Sequence, residues 1–116
     1  MESITREKKE DIIILKVKGN IQHTDTPNFE KELESLLDEN VIKIIIDLTN
    51  VKLVSSSALG SMIAMQRRIK RKGGDIRLVI TENEVLRVMQ ITLLNRVFQI
   101  FGTVADAIES FKRFSF

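Results

Sequence analysis

Asp47-Leu48-Thr49-Asn50-Val51-Lys52-Leu53-Val54-Ser55-Ser56-Ser57-Ala58-Leu59-Gly60 is the stretch whose reading decides the fold. Ahead of it runs Val41-Ile42-Lys43-Ile44-Ile45-Ile46, an apolar run of the kind that makes a strand buried on both faces. Behind it an amphipathic helix opens near Ser57. The loop between them carries three consecutive serines, Ser55, Ser56 and Ser57. Helix N-termini present free backbone N–H groups and a partial positive charge, and both favour an anion such as a phosphate. Serine is also a favoured N-cap, so one of the three needs no further explanation. A cap uses one serine, and the other two are left over.

Working outward, Ile12 to Lys18 reads as a strand, with Ile13, Leu15 and Val17 on one face. On its other face Ile12 and Ile14 give way to Lys16 and Lys18, so that side becomes wet. Arg6 to Asp11 reads as a charge-rich turn, with Ser3 to Glu7 as an edge strand before it. Thr26-Pro27 starts a helix with Thr26 as N-cap and Pro27 at the first helical position. Phe29, Leu33, Leu36 and Leu37 form its apolar stripe, and Asp38-Glu39-Asn40 ends it.

The helix after the serines extends to about Lys72. Leu59, Met62, Ile63, Gln66 and Ile69 share the face expected to pack on the sheet. Ser57, Ser61, Ala64, Met65 and Arg68 form a second stripe, which either meets the chain's own neighbouring helix or, if exposed, suits a partner. Arg67, Arg68, Lys70, Arg71 and Lys72 complement the negative end of the helix dipole, and Gly73-Gly74 supplies the C-cap. That local account suffices without nucleic acid, since no aromatic side chains interleave the cluster to stack on bases.

Ile76 to Ile80 is a further buried strand. Thr81 to Glu84 has the form of a capping box opening a helix that buries Val85, Leu86 and Met89. Arg96 to Ile100 reads as a short last strand. Thr103 with Asp106 starts a last helix burying Val104, Ala107, Ile108 and Phe111, and Phe114 and Phe116 either fold back on the core or add a small apolar patch. The expected fold class is α/β: one domain over residues 1–116, with a mixed, mostly parallel sheet of four to five strands flanked by about four helices.

The chain has 116 residues, 43% hydrophobic and 29% charged, enough for a core and a well-solvated surface. It has no cysteine, which excludes disulfides, cysteine-ligated metals and thiol catalysis. A net charge of +2 is too small to argue for nucleic acid. No apolar run approaches the roughly 18 residues of a membrane span, and Met1 to Thr5 lacks the pattern of a signal peptide, so the expected location is cytoplasmic.

Enzyme chemistry finds little support. A Ser56, His23, Asp47 set can be assembled on paper, but Val54 to Ala58 fails the G-x-S-x-G elbow at both glycines. His23 is the only histidine, so no zinc site is expected, and no cofactor is implied. Neither G-x-x-x-x-G-K-[ST] nor G-x-G-x-x-G occurs. Asp47 ends its strand and is expected to order the following loop by accepting backbone N–H groups.

At these residues the chain resembles the anti-sigma factor antagonist family, built on the STAS domain. The likeness covers nearly the whole chain. The pattern G-x-[IL]-D-x-x-x-x-P is matched from Gly19-Asn20-Ile21-Gln22 to Pro27, and D-L-[ST]-x-V by Asp47-Leu48-Thr49-Asn50-Val51. D-S-[ST]-G-[LI]-G is matched by Ser55-Ser56-Ser57-Ala58-Leu59-Gly60, and the Gly-Gly strand start by Gly73-Gly74-Asp75-Ile76-Arg77-Leu78-Val79. L-T-G-L-x-x-[VI]-F is similar to Ile91 through Phe98.

The resemblance implies a non-enzymatic switch. In the family, the serine after the loop's aspartate is phosphorylated by a partner kinase that is itself the anti-sigma factor; by position this is Ser56, with Ser55 and Ser57 as alternatives. The unphosphorylated form binds the kinase and frees the sigma factor, and a metal-dependent serine phosphatase resets it. The implied partner surface comprises Ser55, Ser56, Ser57, Ser61, Ala64, Met65 and Arg68. No nucleic acid, membrane or metal is implied, and the expected state is a monomer or weak dimer. Three departures stand out: Ser55 replaces the loop aspartate, Ala58 the loop glycine, and Gln22 the aspartate of the earlier loop. They leave open a STAS scaffold that binds without being phosphorylated.

Overall fold

β-Branched residues concentrate in the strands, and their alternation sets two unequal cores. The computed structural model describes residues 1–112. The order is β1 (Ser3–Lys9), β2 (Ile12–Lys18), α1 (Thr26–Asp38), β3 (Lys43–Asn50), α2 (Ser56–Arg71), β4 (Asp75–Val79), α3 (Glu84–Ile91), β5 (Ile100–Phe101) and α4 (Val104–Lys112). Single 3₁₀ turns lie at His23–Asp25 and Leu94–Arg96. The strands stand in sequence order, β1-β2-β3-β4-β5. Only β1 with β2 is antiparallel; the remaining pairs are parallel.

Ile13, Leu15 and Val17 of β2 and Ile44, Ile46 and Leu48 of β3 point into the larger core, where α1, α2 and α3 pack. Ile12, Ile14 and Ile45 face the other way, onto Ala107 and Phe111 of α4. One short helix covers only part of that face, so Lys16 and Lys18 of β2 remain in water, as the alternation predicts. Gly74 is sterically required at the entry to β4, because a Cβ there would lie 2.1 Å from the Ile42 carbonyl oxygen. The chain passes that close because Asp75 N–H donates to the same oxygen at 2.9 Å.

Several expected boundaries move. β1 continues to Lys9, and the turn shrinks to Glu10-Asp11, with Glu10 at φ 56°; pairing with β2 keeps the charged residues extended. Thr26 is not the cap of α1 but its first residue, with Asp25 as N-cap. The cap of α3 is Asn83, whose Oδ1 accepts from Val85 N–H at 3.0 Å and Leu86 N–H at 3.3 Å, so no box forms on Thr81. The expected strand Arg96 to Ile100 is largely replaced by the 3₁₀ turn. Leu93 at φ 61° ends α3, Phe98 plugs the core at 2% exposure, and only Ile100 and Phe101 pair with β4. α4 is capped as read, with Asp106 N–H donating to Thr103 Oγ1 at 3.1 Å. The readings of Phe114 and Phe116 lie outside the described residues.

Candidate functional site

Two loops at the carboxyl ends of β2 and β3 are stitched side by side, a usual location for sites in parallel sheets. Ile21 and Val54 form a bridge; Ile21 N–H donates to the Leu53 carbonyl at 2.9 Å and Ser55 N–H to the Ile21 carbonyl at 2.8 Å. Lys52 N–H donates to Asn20 Oδ1 at 3.1 Å. Asp47, 5% exposed, accepts Thr49 N–H at 3.0 Å and so orders the start of the serine loop as expected. Asn83 Nδ2 donates to the Val51 carbonyl at 3.2 Å, tying the cap of α3 to the same loop.

These contacts present the three serines in three different roles. Ser55 is the N-cap of α2, with φ −65°, ψ 155° and its Oγ accepting Ala58 N–H at 3.2 Å. Ser57 is a hub. Its Oγ lies 2.8 Å from Thr26 Oγ1, 2.9 Å from His23 Nδ1 and 3.1 Å from Ser55 Oγ. Ser56 opens the helix itself, exposed, and its hydroxyl makes no hydrogen bond among the described residues. Asp25 sits at the end of the neighbouring 3₁₀ turn. Its Oδ2 accepts from the Met1 amino group and from Gln22 N–H, each at 2.8 Å, and this holds its carboxyl below the usual range.

The second stripe of α2 resolves toward the chain's own neighbour. Ser57 meets the start of α1, Ser61 donates to Glu30, Arg68 pairs with Glu34, and Met65 is 4% exposed. Met65 is therefore corrected from partner surface to core, while Ser61 and Arg68 are engaged by carboxylates of α1. Ala64 stays exposed at the rim. The open face lies one residue round the helix, along Ser56, Gly60, Ala64, Arg67 and Arg71. A Cβ added at Gly60 would meet nothing within 4 Å. Between the serine loop and α3 an apolar groove is lined by Leu53, Val54, Leu59, Val85 and Val88, with Lys52 and Glu84 also lining it. Leu53 is 57% exposed and Val88 40%.

The paper triad does not assemble. His23 reaches Ser57 rather than Ser56, and Asp47 is spent on Thr49 N–H. Two contributions escaped the sequence reading. His23 was expected as an exposed loop residue and is exposed, but nothing local foretells its contact with a serine 34 positions on. Gln66, expected simply to pack on the sheet, clamps the edge of β4. Its Oε1 accepts Ile76 N–H at 2.8 Å, and its Nε2 donates to Asp75 Oδ1 at 2.7 Å and to the Val97 carbonyl at 3.1 Å. An amide inside an otherwise apolar helix face was the available signal.

Comparison with known proteins places this geometry. Residues 3–107 match the model of the STAS domain family. A Thermotoga maritima protein named as a candidate anti-sigma factor antagonist is 28% identical over 105 residues, covering 90% of this chain and 93% of the relative. A crystal structure of such a protein from the same organism superposes with TM-score 0.89 at 26% identity, over 95% of each chain. The Bacillus cell fate determinant SpoIIAA in its phosphorylated form shares the fold, with TM-score 0.73 at 15% identity, over 94% of this chain and 99% of that one. No helix among the described residues is long and apolar enough to cross a membrane. With five strands in sequence order, the serine loop at the start of α2 and a match over residues 3–107, the chain belongs to the STAS domain family.

Proposed function

We propose that the chain is an anti-sigma factor antagonist: it binds an anti-sigma factor serine kinase when unmodified and is released by phosphorylation of Ser56. One observation carries the choice of residue. Ser55 is used as a cap and Ser57 as a hub, whereas the Ser56 hydroxyl is exposed and unengaged among the described residues. A kinase must take the serine Oγ into its own site, where the Oγ–P bond forms as the γ-phosphoryl leaves ADP and the hydroxyl proton passes to the kinase's base. Ser56 alone can be offered without dismantling the loop. The names of the relatives support the partner class.

The proposed contact surface centres on Ser56 with Gly60 and Ala64, flanked by the Leu53–Val88 groove. Ser55 and Ser57 shape it from beneath, and Ser61 and Arg68 border it. A phosphate adds about −1.5 to −2 charge there. Buried unpaired against a partner, that charge weakens binding well over tenfold, since about 1.4 kcal/mol is a factor of ten. The domain itself tolerates the modification, because the α2 N-terminus favours an anion. A metal-dependent serine phosphatase completes the cycle, and the setting is cytoplasmic.

Binding measured against the partner kinase tests this. Ser56→Ala should bind persistently and Ser56→Asp at least tenfold more weakly. Equal affinities would remove the switch and favour a second reading, a STAS scaffold that binds without modification. The uncharged Ser55 and Gln22, where the resemblance expects acids, are the observation that keeps that reading alive.

A further inference from the structure

His23 is the chain's one histidine, and the serine switch as described gives it no task. Its ring is exposed, yet Nδ1 lies 2.9 Å from Ser57 Oγ. The same oxygen meets Thr26 Oγ1 at 2.8 Å and Ser55 Oγ at 3.1 Å, while Ser55 Oγ accepts Ala58 N–H. A hydroxyl has one proton and two lone pairs. With Nδ1 bare the set closes when Ser55 and Thr26 donate to Ser57 and Ser57 donates to the ring; with Nδ1 carrying a proton, the ring donates to Ser57 instead. An imidazolium carries N–H on both nitrogens and accepts nothing. Protonation of His23 therefore leaves the contact in place, with the ring as donor and Ser57 Oγ as acceptor.

The surrounding charges are occupied elsewhere. On the 3₁₀ turn, Asp25 holds Gln22 N–H and the Met1 amino group. On α1, Glu30 holds Ser61. The first turn of α2 has no acidic residue, and the adjoining loop contributes Lys52. Among the described residues no carboxylate pairs with His23, and Gln22 and Ser55 are uncharged. Ser56 is the next residue to the one His23 touches, one Cα step of about 3.8 Å away.

We infer that His23 is a positioning residue of the serine switch: held against Ser57 at the start of α2, it pairs as the imidazolium with a phosphate on Ser56. The inference rests on Ser56 being the modified residue. The proton comes from solvent, so the phosphorylated form binds more protons near neutrality than the unmodified one, and acid favours it.

A single histidine makes the test direct. Protein carrying phosphoserine introduced at position 56 during translation needs no kinase, and its imidazole NMR signals are titrated beside those of the unmodified chain. The His23 midpoint should rise on phosphorylation, because a nearby anion favours the imidazolium. The ³¹P midpoint should move up when His23→Gln removes the cation, with the circular dichroism spectrum unchanged. Superimposable His23 titrations, or a ³¹P midpoint indifferent to His23→Gln, overturn the inference. Those outcomes are distinct from failure of the switch itself, which appears as absence of Ser56 phosphate in the source cells.

Discussion

Replacing each of the three serines by alanine in turn should give three different stabilities. Ser55→Ala removes the N-cap and leaves Ala58 N–H without its acceptor; such losses cost about 1 kcal/mol. Ser57→Ala removes an oxygen with three side-chain neighbours at 2.8–3.1 Å and strands the Thr26 hydroxyl, 8% exposed as a residue, beneath it. The expected cost is about 1–2 kcal/mol, one or two net hydrogen bonds in a half-buried place. Ser56→Ala deletes an exposed hydroxyl with no partner among the described residues, so its effect should stay within about 0.5 kcal/mol. Urea unfolding resolves these differences. With an m-value of about 1–3 kcal/mol/M, each kcal/mol moves the midpoint by roughly 0.3–1 M. A Ser56→Ala midpoint shifted as far as that of Ser57→Ala would refute the division of labour on which the choice of Ser56 rests.

Gln66→Leu should cost about 2–4 kcal/mol, because the Ile76 N–H and the Val97 carbonyl lose a buried partner; a thermal melt lowered by less than about 3 °C would contradict the clamp. Gly60→Ala should raise stability by about 0.5–1 kcal/mol, since the helix gains propensity and the new Cβ meets nothing, while partner binding weakens; a destabilised Gly60→Ala would contradict the open face. Arg6 donates to Glu39 at 2.7 Å and holds its carboxyl below the usual range. A depressed folded pKa contributes stability that is present above the unfolded value and lost as pH falls through the folded one. Stability should therefore fall below about pH 4.5, and Arg6→Gln should shallow that acid limb slightly, as read by urea midpoints across pH 2–6; an unchanged slope would remove the pair from the account.

The parallel order of strands was legible because the Ile-rich runs alternate with helix periods, and the serine loop because it interrupts both patterns. The exposed face of α2 was not. Its stripes differ by one residue, about 100° of rotation, and which one meets water depends on where α1 lies. Met65 looks the same in either setting. Helix starts were misplaced where two capable caps stand together, as at Asp25-Thr26 and Thr81 to Asn83, since tertiary contacts choose between them. Thr26 opens α1 with its hydroxyl against Ser57, 31 positions away, a contact that no local pattern announces. The short β5 was misread because Val97, Phe98 and Ile100 have strand composition, while burial of Phe98 fixes a turn instead.

The most direct measurement is a phosphosite-mapped mass spectrum of the protein after incubation with source-cell extract, Mg²⁺ and ATP, the extract's kinase activity being established on a second substrate. The account predicts a single phosphate, on Ser56. Phosphate on Ser55 or Ser57 in place of Ser56, or none in an extract whose kinase of this class is active, would contradict it.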